Sequence, residues 1–245
     1  STGLEEQSVR FTEEAVRKVI RDYTRESGLR SLQRQIAALC RKIALRRLNQ
    51  KDSKLAAVVD AKDVEPLLGP QQFFLEVTQA KDRIGVITGL AWTATGGDVL
   101  FVETTAFPTG ADAEPGLTLT GQLGDVMKES ARAGLTYART RAEALGIPEE
   151  KLKDHEIHIH VPAGAVPKEG PSAGIAMCTA LVSAFTSIPV KSDVAMTGEI
   201  TLRGRVLPIG GLREKSLAAL RSRIYTVIAP EQNKKDLDEI PRHIR

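Results

Sequence analysis

The feature that most constrains this fold is a change of hydrophobic period at Pro70-Gln71-Gln72. Before it, apolar residues recur every three to four positions. After it, they alternate or run in short blocks between helical stretches. The chain is therefore read as two folding units, residues 1–69 and residues 70–245. The first unit is helical. Thr12 caps a helix whose first turn carries Glu13 and Glu14, charges that suit a helix N-terminus. Val16, Val19, Ile20 and Tyr23 line one face of it, and Ser27-Gly28 ends it. Leu29, Leu32, Ile36, Leu39 and Ile43 keep the spacing through a second, basic helix. Residues 55–59 form a short strand, and Asp60 caps a last helix that stops at Gly69.

The second unit mixes strands and helices. Strands are expected at 84–91, 98–104, 155–161, 193–202 and 224–228, and helices at 123–145, 172–186, 212–221 and 232–239. Gly146-Ile147-Pro148 closes the first of these helices. The fold class is α/β (α+β) for this unit, with a small all-helical unit before it. No fixed-period repeat or low-complexity tract interrupts either unit.

Several classes of function are set aside by composition. There is no run of about 18 apolar residues to cross a membrane. The first residues lack the basic-then-apolar layout of a secretory signal. Cys40 and Cys178 stand far apart in apolar helical patterns without metal-ligand spacing, so they read as buried thiols of a reducing, cytoplasmic compartment. The net charge of +3 is unevenly placed: residues 1–54 carry 13 Lys/Arg against 7 Asp/Glu, and the remainder carries 21 against 24. The basic stretch 30–54 is a solvated helix face or a surface for the phosphates of a nucleotide or nucleic acid. It lacks interleaved aromatics and any nucleic-acid-binding motif.

The segment Pro167-Lys168-Glu169-Gly170-Pro171-Ser172-Ala173-Gly174 carries the most chemistry. Ser172 stands at the head of an apolar helix. There, free backbone N–H groups and the helix dipole favour negative charge on a reacting carbonyl oxygen. Its bland reading is an N-cap. A serine nucleophile needs a base within hydrogen-bond reach. No convincing Ser-His-Asp set surrounds it, so Lys215, in Gly210-Gly211-Leu212-Arg213-Glu214-Lys215, is the candidate. A free lysine has a pKa of about 10.4, and only burial among apolar groups such as Leu212, Leu217 and Leu220 makes it a base near neutrality. An ordinary amphipathic-helix lysine is the competing reading. His158 and His160 alternate on one strand face opposite Ile157 and Ile159; without a third metal ligand they read as structural wall, with a His-assisted serine mechanism as the alternative. Trp92 and Phe101 read as core or groove wall.

These motifs resemble the Lon proteases. Gly89-Leu90-Ala91-Trp92-Thr93 is similar to the opening of that family's protease domain, and 167–174 to its nucleophile loop, where the family usually has Asp in place of Glu169. Thr197-Gly198-Glu199-Ile200-Thr201-Leu202-Arg203-Gly204 and Val206-Leu207-Pro208-Ile209-Gly210-Gly211 are similar to the segments that lead to its lysine. The resemblance implies a Ser172–Lys215 dyad, with Thr197 holding the lysine, the Glu169 and Ser172 N–H groups as oxyanion donors, and no metal. It identifies residues 1–69 as the small helical subdomain of an AAA+ module, with Arg30 in Gly28-Leu29-Arg30-Ser31 as the nucleotide-sensing residue. It implies an intact protein using ATP and Mg2+, and a homo-hexamer degrading unfolded polypeptides, with nonspecific DNA binding in some members. The sequence holds no Gly-x-x-x-x-Gly-Lys-[Ser/Thr] loop, so it is read as a fragment, cut also at its C-terminus, without a cofactor of its own. Two other readings are a nucleic-acid module built on 30–54 and a catalytically idle adaptor.

Overall fold

The structure is a computed structural model that describes residues 9–24, 26, 28–50, 58–73, 81–93, 96–109, 116–162, 168–242 and 244, with side chains to 46 in the second helix. Ser27, residues 51–57 and Pro167 lie outside the described residues. The chain divides into two units, Ser1–Glu76 and Val77–Arg245.

In the first unit, β1 (Arg10–Phe11) leads into α1 (Glu13–Tyr23), followed by α2 (Arg30–Gln50), β2 (Val58–Val59) and α3 (Ala61–Leu68). Thr12 caps α1 as its sequence demands: its side chain accepts a hydrogen bond from Ala15 N. Asp60 caps α3 in a capping box with Asp63, and Gly69 ends that helix at φ 93°. The two caps are tied together, since Thr12 Oγ1 donates to Asp60 Oδ1 at 3.1 Å. β1 and β2 pair in parallel. Ala15, Val19, Tyr23, Leu39, Ile43, Val59, Val64 and Leu67 form the core. Ile20, expected on the buried face of α1, is 47% exposed, because the packed stripe runs through Ala15, Val19 and Tyr23 instead. The head of α2 is capped by Glu26, whose carboxylate accepts from Ser31 N and Leu32 N at 2.8 and 2.9 Å.

The second unit is built on β3 (Val86–Thr93), β4 (Gly96–Pro108), β5 (Leu117–Thr120), β6 (His155–His160), β7 (Val194–Met196) and β10 (Thr226–Ile228). Their order is β10-β7-β3-β4-β6-β5. β3 and β6 run antiparallel to β4, while the remaining pairings are parallel. The helices are α4 (Asp125–Thr140), the short α5 (Glu149–Lys153), α6 (Gly174–Thr186) and α7 (Leu212–Arg221); β8 (Glu199–Ile200) and β9 (Val206–Leu207) form a hairpin.

Alternation along the strands decides the layers. Ile87, Leu100, Val102, Ile157 and Ile159 pack with Met127, Ala131, Ala176, Met177 and Leu181 of α4 and α6. On the opposite face, Leu90, Val99 and Ala195 pack with Ala219 of α7 and with Ile224. The strand expected at 193–202 is two strands, β7 and β8, separated by Thr197-Gly198. The helix expected at 123–145 stops at Thr140 and gives way to turns. The segment expected as a helix at 232–239 is a 3-10 helix, Glu231–Glu239. β5, β9 and α5 are short elements that the period did not single out.

Candidate active site

α6 lies on one face of the sheet and α7 on the other, and their heads meet beyond the carboxyl end of β7. Ser172 sits in a 3-10 turn, Pro171–Ala173, that feeds α6. Pro171 suits this entry, having no N–H to satisfy. The serine side chain caps nothing: α6 starts at Gly174 with no side-chain cap hydrogen bond. The N-cap reading of Ser172 therefore does not describe its place. Among the described residues, the amides of Glu169 and Ser172 donate to no acceptor. The Ser172 carbonyl is pinned from the β7 side, accepting from Gly198 N at 2.8 Å and from Thr197 Oγ1 at 3.2 Å.

Lys215 is 2% exposed. Its Nζ donates to Thr197 Oγ1 at 3.0 Å, so one threonine hydroxyl links the lysine to the serine backbone. Among the described residues no carboxylate pairs with Lys215. Burial without a counter-ion disfavours the ammonium and brings its pKa down to about 8. Leu212 is buried beside it, whereas Leu220 faces outward at 38% exposure. Close backbone approach holds the head of α7 in place. A Cβ on Gly97 of β4 would fall 1.9 Å from Glu214 O, and one on Gly211 would fall 2.8 Å from Trp92. Gly211 also has φ 69°, which favours glycine. Trp92 itself is 62% exposed and lies over Gly210-Gly211, so it belongs to a wall and not to the core.

The structure brings Ser172, Thr197 and Lys215 together. Glu169 is near in sequence but turned away: its exposed carboxylate covers Gly124 at the start of α4, where a Cβ would fall 1.8 Å from Oε1. The loop before it is anchored there too, as Lys168 N donates to Gln122 O and Gly124 N to Lys168 O, at 3.1 and 2.9 Å. His158 and His160 both hydrogen-bond Thr120 Oγ1, at 2.8 and 2.7 Å, and stand edge to face. Sequence reasoning missed Thr120; the signal was alternation of Thr118 and Thr120 on a strand to match His158 and His160 on its neighbour. Arg30 opens α2 in the first unit and is exposed. Cys178 is buried and its thiol is pushed up to about 11, while Cys40 is only half-buried. Among the described residues no group of three His, Cys, Asp or Glu could hold a metal ion, and no helix is long and apolar enough to cross a membrane.

Known protein families match both parts of the chain. Residues 58–245 match the Lon protease (S16) C-terminal proteolytic domain, and residues 1–56 match the Lon protease AAA+ ATPase lid domain. That boundary falls between α2 and β2, although packing keeps β2 and α3 with the helical unit. A Lon protease of Geobacter metallireducens is 54% identical over 242 residues, 99% of this chain and 29% of that protein. Lon proteases of Roseiflexus castenholzii and Syntrophomonas wolfei are 56% and 50% identical over 243 residues, 99% of this chain and 30% and 29% of theirs. The chain spans less than a third of the length of these relatives.

Proposed function

The chain belongs to the Lon protease family, and from that premise we propose that it cleaves peptide bonds with Ser172 as nucleophile and Lys215 as its base. The observation that carries this reading is a buried lysine without a counter-ion, joined through Thr197 Oγ1 to the residue that bears the serine. Neutral Lys215 takes the Ser172 hydroxyl proton as Oγ attacks the peptide carbonyl carbon. The Glu169 and Ser172 N–H groups receive the carbonyl oxygen as it becomes an oxyanion. The lysine proton then passes to the leaving amine, the C–N bond breaks, and an acyl ester remains on Ser172. Lys215 next takes a proton from water, the resulting hydroxide attacks the ester, and the proton returns to Ser172. Among the described residues no hydrogen bond joins Ser172 Oγ to Lys215 Nζ. Nucleophile–base hydrogen bonds of this kind are often long until substrate binds.

His158 and His160 act in this scheme as a wall, held by Thr120. Glu169 acts through its N–H, its carboxylate being directed at α4. In the longer protein, we assign ATP-driven delivery of unfolded polypeptides to a ring of six subunits. Arg30, with a permanent charge and a fork that fits phosphate oxygens, is this chain's contact to the nucleotide. ATP with Mg2+ supplies the work of unfolding there.

The test is a fluorophosphonate applied to the chain, with intact-mass and peptide analysis. One adduct on Ser172 is expected, absent in Ser172→Ala and strongly slowed in Lys215→Ala. Labelling of the Lys215→Ala protein at the unaltered rate would remove the lysine from the mechanism.

A further inference from the structure

We propose that a concavity between residues 81–83 and 190–192 is a binding site for a phosphoryl-type oxyanion. It is a shallow surface concavity at the end of β7 opposite the candidate active site: Ser192 precedes that strand and Thr197 follows it. Lys81, Arg83 and Lys191 line it, and no acidic residue does. Among the described residues none of these three cations is in an ion pair. Their backbones are held against each other. Arg83 N donates to Val190 O at 3.3 Å and Val190 N to Arg83 O at 2.9 Å. The adjacent carboxylate, Asp82, is engaged on the rim, where its Oδ1 accepts from Ser192 N and Oγ at 2.9 and 3.2 Å.

The floor supplies an independent observation. Thr88 lines the concavity beside Val86 and Phe101 and is only 5% exposed. Among the described residues its hydroxyl has no hydrogen-bond partner. The hydroxyl is therefore open to donate to an acceptor oxygen that enters the concavity. Three unpaired cations around one open donor call for a compact anion with more charge and more oxygens than a carboxylate has. A phosphoryl group carries a charge of about −1.5 to −2 and three acceptor oxygens.

The experiment is calorimetric titration of the chain with inorganic phosphate at low ionic strength, repeated with acetate and with a short phosphoserine peptide. Saturable one-to-one binding of phosphate is expected, with amide shifts at 81–92 and 190–195 in heteronuclear spectra. Arg83→Gln combined with Lys191→Gln should weaken it by about tenfold or more, equal to about 1.4 kcal/mol. Thr88→Val, nearly isosteric, should weaken it by a smaller factor. Fluorophosphonate labelling of Ser172 in each variant confirms that the fold is intact. A peptide that binds more tightly than free phosphate identifies a protein-borne source, and equal affinity identifies the free ion; both support the site. Phosphate that fails to saturate, binds the double variant as well as the unaltered chain, or is matched by acetate overturns it.

Discussion

α6 and α7 approach Thr197 from opposite faces of one sheet, and they bring opposite chemistry. α6 is apolar almost throughout and has Ala176, Met177, Ala180, Leu181 and Phe185 buried. The proposed nucleophile, Ser172, lies just before the helix, at a half-buried turn. α7 is amphipathic, with Arg213 and Glu214 beside Lys215, yet the lysine is the buried one. The serine is delivered by a rigid apolar rod. The lysine is delivered by a surface helix whose one charged side chain points inward. In the proposed mechanism the first helix supplies position and the second supplies reactivity, because of the two side chains it is the buried lysine whose proton affinity is altered by its place.

The largest test of this division is Lys215→Arg. Arginine keeps the charge and length but cannot give up its proton near neutrality. Fluorophosphonate labelling of Ser172 should fall by roughly 1000-fold or more, with the circular dichroism spectrum unchanged. A variant that still labels at a tenth of the normal rate would mean that another group is the base.

The next effect is on pH. In the proposed mechanism neutral lysine is the active form, and burial brings its folded pKa down to about 8. The labelling rate should rise about 50-fold between pH 6 and pH 8 and level off above it. A profile flat over that range is incompatible with a lysine base.

Stability should rise with pH as activity does, but over a higher window. The unfolded lysine titrates near 10.5 and the folded one near 8, so between these values the unfolded chain binds more protons. Stability contributed by this position is lowest below pH 8 and recovers as pH rises toward 10.5. Lys215→Met should therefore stabilise the second unit by about 3 kcal/mol at pH 7, and the gain should vanish above pH 10.5. Urea titrations at both pH values measure it. A loss of stability at pH 7 would show that the hydrogen bond to Thr197 outweighs desolvation.

The smallest effect falls on the bridge between the two helices. Thr197→Val removes the acceptor that favours the ammonium, so the pH midpoint should move down while labelling at its plateau drops by about tenfold. An unaltered midpoint and rate would show that Ser172 and Lys215 are positioned independently of this hydroxyl.

Much of this was legible in the sequence, for identifiable reasons. α7 has the bounds read from its pattern, Leu212–Arg221, because the glycine pair before it and the leucine spacing within it agree. The Asp60 cap and the stop at Gly69 follow from local chemistry and are where they were read. Local rules failed where a tertiary partner decided. The burial of Lys215 depends on Gly97, over a hundred residues earlier, admitting the head of α7. The break between β7 and β8 depends on Thr197 and Gly198 bonding to Ser172 O instead of continuing a ladder. The turn of Glu169 onto Gly124 depends on the pairing of Leu123 with Lys168, which no period encodes. The histidines were legible as a pair, but their shared Thr120 comes from a parallel neighbour 38 and 40 residues away in sequence.

Trp92 is the chain's single tryptophan, and it lies on the glycine pair that begins the lysine helix. The emission of this indole thus has one origin. Its wavelength and its quenching by iodide report solvent access at Gly210-Gly211 and nowhere else. A displacement of the head of α7 changes that one spectrum, so the chain carries a built-in optical gauge of whether its lysine is in place.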